Sequence, residues 1–211
     1  DNKYYITGKG KTKKEDIPVI DKSSTNKILN NGFVSFEVIK ENRHVVGFKG
    51  IENEKLVIPQ RFNYKYISYE VVSIGDNAFD NFNDNCKNLI SVVIPDGVKS
   101  IGKYSFYNCN NLTNITIGSG LTSVGNYAFY NCSDLTDVTI ASGVTSIGNY
   151  AFADSGIVSI TIPNSVTSLG EYVFNNCANL KSATIGNRVT KINSYAFADC
   201  VSLKNLELPN S

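Results

Sequence analysis

The sequence predicts a repeat solenoid: a right-handed stack of about six coils with a parallel β-sheet on its concave face. Short helical turns are expected on the other side, and a β-rich cap at the N-terminus. Three observations predict it. The phrase Val144-Thr145-Ser146-Ile147-Gly148-Asn149-Tyr150-Ala151-Phe152 has near copies before and after it, anchored at Phe79, Phe106, Phe129, Phe152, Phe174 and Phe197 with spacings of 27, 23, 23, 22 and 23 residues. A near-constant period in this range marks an architecture in which each unit packs on its neighbours. Within each period, apolar and polar residues alternate as in a strand. Each unit is also too small to bury its own apolar face, so stacked coils must bury it jointly, about 5 Å apart as in adjacent strands.

Composition narrows the class. The 211 residues are 42% hydrophobic and carry a net charge of +1, ordinary for a soluble globular chain, with no global drive toward nucleic acid or an anionic membrane. The charge is uneven: residues 1–65 hold 13 Lys/Arg against 8 Asp/Glu, and residues 66–211 hold 7 against 11. No apolar run approaches the ~20 residues that span a bilayer. The sequence contains no methionine, even at position 1, and is read as a mature or trimmed chain.

Three segments follow in order. Residues 1–31 are a polar, basic N-terminal segment, with Lys9, Lys11, Lys13 and Lys14 crowded together. The leading reading is a solvated linker. A basic contact to a cell wall, glycan or nucleic acid, or an edge strand at Tyr4-Tyr5-Ile6-Thr7, are the alternatives. Residues 32–74 form the cap. There, Phe33 to Ile39 and His44 to Phe48 flank Glu41-Asn42-Arg43 as a β-hairpin, and Tyr64 to Ile74 leads into the array. Residues 75–211 are the repeats. The long first spacing reflects a four-residue insertion around Asn81 to Asn85, and the last unit stops after its strand with no distinct cap.

One unit shows the logic. In the copy from Leu112, the apolar positions Leu112, Ile115 and Ile117 alternate with Asn114 and Thr116. Period two sends the two sets to opposite faces, so the first faces inward and the second forms an exposed sheet face. Gly118-Ser119-Gly120 and Pro95-Asp96-Gly97 are turn chemistry. Val144 and Ile147 recur as a second inward pair. Gly75, Gly102, Gly125, Gly148 and Gly170 suit a tight backbone bend. Tyr150-Ala151-Phe152 reads as a short helical turn that drives its phenylalanine into the core. Ladders of Tyr104, Tyr127, Tyr150, Tyr172 and Tyr195, and of threonine, follow from the stacking.

These units, with their I-P-x-x-V-x-x-I-G-x-x-A-F-x-x-C pattern, resemble BspA-type leucine-rich repeats. The match covers about two-thirds of the chain directly, and the entry segment Phe33 to Gly75, which ends in Tyr69 to Gly75, resembles the β-rich cap that precedes such arrays. The resemblance implies a leucine-rich-repeat-like stack. It also implies a secreted or cell-surface protein, of a family occurring on bacterial surfaces and in some protist parasites, several of whose members are implicated in adhesion to host proteins or other cells.

No residue constellation supports catalysis. His44 is the only histidine, and it sits in the expected hairpin, without the nucleophile and carboxylate that a histidine-based site needs. Asp134, Asp137, Asp154 and Glu171 do not share a repeat position, so no acid–base pair emerges. Cys86, Cys109, Cys132, Cys177 and Cys200 fall on one repeat position, with Ser155 in the missing slot. That spacing is not a metal-ligand pattern. Disulfides between neighbours fit on distance alone, but in-register side chains point in parallel and the count of five is odd. All five are therefore expected as buried free thiols acting as small hydrophobes. Neither a metal nor a cofactor is implied. Asn111, Asn114 and Asn131 stand in N-x-S/T triplets, which matter only in a eukaryotic secretory setting.

The candidate binding surface is the exposed sheet strip: Asn114, Thr116, Asp137, Thr139, Ser159, Thr161, Ser182 and Thr184. It is neutral and hydroxyl-rich, and a solvated sheet face is the competing reading. The tyrosine ladder is the alternative surface. The expected function is a non-enzymatic, secreted or surface-displayed interaction module. Its partner would be a protein or glycan on host or neighbouring cells, with no nucleic-acid partner. The alternative is a rigid structural spacer that displays another domain.

Overall fold

The computed structural model describes residues 3–6, 27–30, 34–38, 45–48, 55–64, 67–80 and 86–209. The N-terminal part contributes strands Lys3–Ile6 (β1), Lys27–Asn30 (β2), Val34–Val38 (β3), Val45–Phe48 (β4), Lys55–Val57 (β5), Arg61–Tyr64 (β6) and Ile67–Val71 (β7). β3 and β4 pair antiparallel, as the sequence reading of a hairpin requires. β1 pairs with β3, β4 and β7, and β2 pairs with β3. Two parts of the segment read as a polar linker are thus strands. His44 and the insertion at 81–85 lie outside the described residues.

Each coil then supplies up to two strand segments. One series is Ser73–Ile74 (β8), Ser100–Ile101 (β10), Ser123–Val124 (β12), Ser146–Ile147 (β14) and Ser168–Leu169 (β16). The other is Ser91–Ile94 (β9), Asn114–Ile117 (β11), Asp137–Val138 (β13), Ser159–Thr161 (β15), Ser182–Thr184 (β17) and Asn205–Glu207 (β18). Neighbours pair in parallel with like residues opposite: Ser100 with Ser73 and Ser123, and Ile101 with Ile74 and Val124. Val45 pairs with Ile74, so the first series continues directly into the N-terminal strands. The second series divides into a four-stranded sheet, β13-β11-β9-β5, and a three-stranded sheet, β15-β17-β18.

The core follows the inward alternation. Phe79, Phe106, Phe129, Phe152 and Phe174 are fully buried and stack coil upon coil, with centroids 4.9, 5.1, 5.2 and 5.7 Å apart. Beside them Leu89, Leu112, Leu135, Ile157 and Leu180 form a second buried column. Full burial of such a side chain contributes about 1.5–3 kcal/mol, which explains why the same positions remain apolar in every unit.

Three expectations are corrected. Among the described residues there is no helix; the Tyr-Ala-Phe segments are consecutive turns. Tyr104, Tyr127, Tyr150, Tyr172 and Tyr195 take φ of 54 to 58°, as do Asn108, Asn131, Asp154, Asn176 and Asp199 at φ 53 to 59°. A left-handed residue every fourth position stops a right-handed helix from propagating. The N–H groups of Tyr104, Phe106 and Asn108 instead donate to the carbonyls of Asn126, Ala128 and Tyr130 in the next coil.

The glycines serve a different purpose from a bend. A Cβ on Gly148 would lie 2.5 Å from Asn126 Oδ1 and 2.6 Å from Asn126 N, and one on Gly125 would lie 2.6 Å from the Gly102 carbonyl carbon. Glycine is required there because adjacent coils approach backbone to backbone. The unusual backbone angles fall to tyrosine, asparagine and aspartate.

The third correction concerns the cysteines. Cys86 and Cys109 are joined by a disulfide between neighbouring coils, while Cys132, Cys177 and Cys200 are free and buried. Similar side-chain directions did not prevent the bond, because neighbouring Cα atoms only 5.5 Å apart lie within the ordinary range for a disulfide.

Candidate binding surface

The exposed positions of the second strand series are built by the alternation that builds the core. Val92, Ile115, Val138 and Ile160 point inward and are buried, so their neighbours in sequence must point out. Asn114, Thr116, Asp137, Thr139, Ser159 and Thr161 are exposed, and Ser182 and Thr184 are half-buried.

Register decides which of them meet. Asn114 lies between Ser91 and Asp137, and Thr116 lies opposite Val93. Ser182 lies between Ser159 and Asn205, and Thr184 between Thr161 and Glu207. The strip is therefore two hydrogen-bonded patches that lie side by side, because β13 and β15 remain neighbours. Thr139 lies beyond the end of β13, between them. The unit from Leu135 is one residue shorter than its neighbours at Asp154-Ser155-Gly156. Gly156 takes up the shortened path: a Cβ there would be 2.2 Å from the Ser133 carbonyl oxygen. One inter-coil bond, from the Val158 N–H to the Thr136 carbonyl at 3.2 Å, still spans the division.

The patches are largely free to meet water. Asn114 Nδ2 donates to Thr113 Oγ1 at 3.1 Å, and Thr184 Oγ1 donates to Glu207 Oε2 at 3.1 Å. By contrast, the parallel threonine column on the first series is internally satisfied. Thr122 Oγ1 donates to the Lys99 carbonyl at 2.8 Å and Thr145 Oγ1 to the Thr122 carbonyl at 3.1 Å. The Asx positions at the coil corners are occupied too. Asp96 Oδ1 accepts from Ser119 N at 2.7 Å and from Ser119 Oγ at 3.0 Å, which holds its carboxyl below the usual aspartate range.

The tyrosine ladder is a different kind of surface. Its rings stack face to face, with centroids 4.9, 4.7, 4.6 and 4.8 Å apart from Tyr104 to Tyr195. A second short column, Tyr107 on Tyr130 at 5.1 Å, runs beside it; its signal in the sequence is the tyrosine following the anchor phenylalanine in those two units. Because each inner ring is covered on both faces, the column presents edges and hydroxyls. The flat platform on which a sugar would stack is already taken by the neighbouring tyrosine.

Among the described residues no group of three or more His, Cys, Asp or Glu is placed to hold a metal ion. Among them, too, no helix is long and apolar enough to cross a membrane.

The family profile described as BspA type leucine rich repeat region matches residues 48–181 and 145–211, with six copies. The chain belongs to that family. No curated protein is similar enough to match it. Among solved structures it is similar to a leucine-rich repeat protein of T. pallidum, at 27% identity and a TM-score of 0.71, over 78% of this chain and 73% of that one. It is also similar to a leucine-rich repeat protein of Bacteroides ovatus, at 28% identity and a TM-score of 0.67, over 89% of this chain. The chain spans 52% of that second protein.

Proposed function

We propose that this member of the BspA-type family is a non-enzymatic interaction module, secreted or displayed on a cell surface, that adheres to a protein or glycan on host or neighbouring cells. Membership of a leucine-rich repeat family supports protein interaction as the general role. One observation carries the choice of surface. The outward side chains of successive strands are short, polar and set in register by parallel pairing, and most keep their hydroxyls available. Such a surface meets a partner with little loss of side-chain entropy, and a concave curvature would add contact area. The Asn114, Thr116 and Asp137 patch and the Ser159, Thr161, Ser182 and Thr184 patch would act together, with Thr139 between them.

The test begins with a binding screen of the chain against host matrix proteins and glycans. Replacing Thr139 and Thr161 with arginine should abolish binding to any partner found, with circular dichroism and melting unchanged. Retained binding in a folded double variant would overturn this site. Loss on charging Tyr127 and Tyr150 instead would move the site to the tyrosine edge. A screen with no partner would favour the rigid spacer.

A further inference from the structure

Six residues share one position on successive coils: Cys86, Cys109, Cys132, Ser155, Cys177 and Cys200. Cys86 and Cys109, 23 residues apart with Cα atoms 5.5 Å apart, are bridged. Cys177 and Cys200 occupy the same position on adjacent coils with the same separation of 23 residues. We propose that Cys177 and Cys200 form a second disulfide between coils when the protein meets a small-molecule disulfide such as oxidised glutathione.

This pair alone puts two free thiols on adjacent coils. Cys200 Sγ lies 3.1 Å from the Phe174 carbonyl oxygen, the place that the bridged Cys109 sulfur takes, 3.1 Å from the Phe79 carbonyl oxygen. Cys132 Sγ is held likewise, 3.2 Å from the Phe106 carbonyl oxygen, so this place suits a free and a bridged sulfur alike. Cys177 Sγ lies 3.2 Å from the Phe152 carbonyl oxygen and 3.3 Å from Ser155 Oγ. Side chains at this position therefore reach one another across the coil spacing. To meet Cys200, Cys177 would turn about its Cα–Cβ bond away from Ser155, exchanging its weak S–H contact with the Phe152 carbonyl for a covalent bond. The two coils are held together on both sides: the Asn176 N–H donates to the Ala198 carbonyl at 2.8 Å, and Phe197 stacks on Phe174 at 5.4 Å. Cys132 has no such partner. Ser155 follows it in the column, and Cys109 before it is already bonded.

Exposure sets the order of events. Cys200 is 9% exposed, while Cys132 and Cys177 are 0% exposed. The Cys200 thiol loses its proton, and the thiolate attacks one sulfur of the external disulfide. That S–S bond breaks, one small thiolate leaves and takes up a proton, and a mixed disulfide remains on Cys200. The Cys177 thiolate then attacks the Cys200 sulfur and expels the second small thiol. Two protein thiols are oxidised and one external disulfide is reduced to two thiols. Burial raises both protein thiols, Cys177 to about 12, so the exchange is slow and accelerates with pH.

The protein, with Cys86–Cys109 intact, is incubated with oxidised glutathione and then alkylated in denaturant and digested for mass spectrometry. Alkylatable thiols should fall from three to one, with a peptide linking Cys177 to Cys200. Cys132→Ser should yield the same link. Cys177→Ser, which repeats the natural substitution at Ser155, should stop with glutathione retained on Cys200. Three persisting thiols, a wild-type chain that stops at the glutathione adduct, or a link through Cys132 would each overturn the proposal.

Discussion

Tyr172 lies face to face on Tyr150, with ring centroids 4.6 Å apart and planes 4° apart, although both residues hold positive φ, 55° and 54°. A left-handed backbone costs an ordinary L-residue about 1–2 kcal/mol, and each aromatic pair contributes about 0.5–1.5 kcal/mol beyond burial. Tyr150 stacks on both Tyr127 and Tyr172, so its neighbours hold it against its own backbone preference. Asn77 takes the same place in the first coil at φ 56°.

The expected outcome is an ordering. Tyr150→Asn loses two stacks and relieves the backbone, so it should cost no more than about 2 kcal/mol. Tyr150→Val loses both stacks and keeps the strain, with a branched Cβ that worsens it, and should cost at least about 1 kcal/mol more. Urea denaturation of the two variants checks this; equal midpoints would show that the turn angle is not what constrains the position.

Phe129→Ala should destabilise by about 3–5 kcal/mol. The ring is fully buried and stacked on both Phe106 and Phe152, so two coils lose contacts and cannot close the gap without breaking their ladder. A melting temperature within about 2 °C of the parent would contradict this account of the core.

Gly148→Ala should destabilise by about 1–3 kcal/mol or more. Its new methyl would stand 2.6 Å from Asn126 N and 2.7 Å from the Gly125 carbonyl carbon. Gly143→Ala meets its nearest atoms at 3.0 and 3.1 Å and should cost less. Calorimetry of the pair measures how closely the coils are obliged to approach; the reverse ranking would place the tight contact elsewhere.

Alkaline pH should loosen the stack. The hydrogen bond from Tyr130 to Asp154, followed by burial, pushes the phenol from 10.0 up to about 12. Tyr127, Tyr150 and Tyr172 are also raised, chiefly by burial. A raised folded-state value means that the native chain holds protons that the unfolded chain releases. The associated stability is fully present below about pH 10 and is lost progressively as pH rises toward about 12. Urea midpoints at about pH 9 and about pH 11 should therefore fall in the wild type and fall less in Asp154→Asn. An unchanged difference between the two would remove Asp154 from the explanation.

The sequence by itself determined the repeat, the inward and outward sides of each strand, and the membership of the phenylalanine column. These follow from a period of 22 or 23 residues with two-residue alternation inside it, which leaves one way to bury the apolar set. It also identified Asn114, Thr116, Asp137, Thr139, Ser159, Thr161, Ser182 and Thr184 as outward positions. The tertiary structure alone decided that their strands pair as two adjoining sheets, because strand pairing depends on the path of the shortened coil at Gly156. It decided that tyrosine, not glycine, carries the left-handed angle in five successive coils: glycine is needed where backbones meet, and stacking holds the tyrosine in place. It decided too that Cys86 reaches Cys109, since parallel side chains one coil spacing apart bond or stay apart according to side-chain rotation, which is not written in the period.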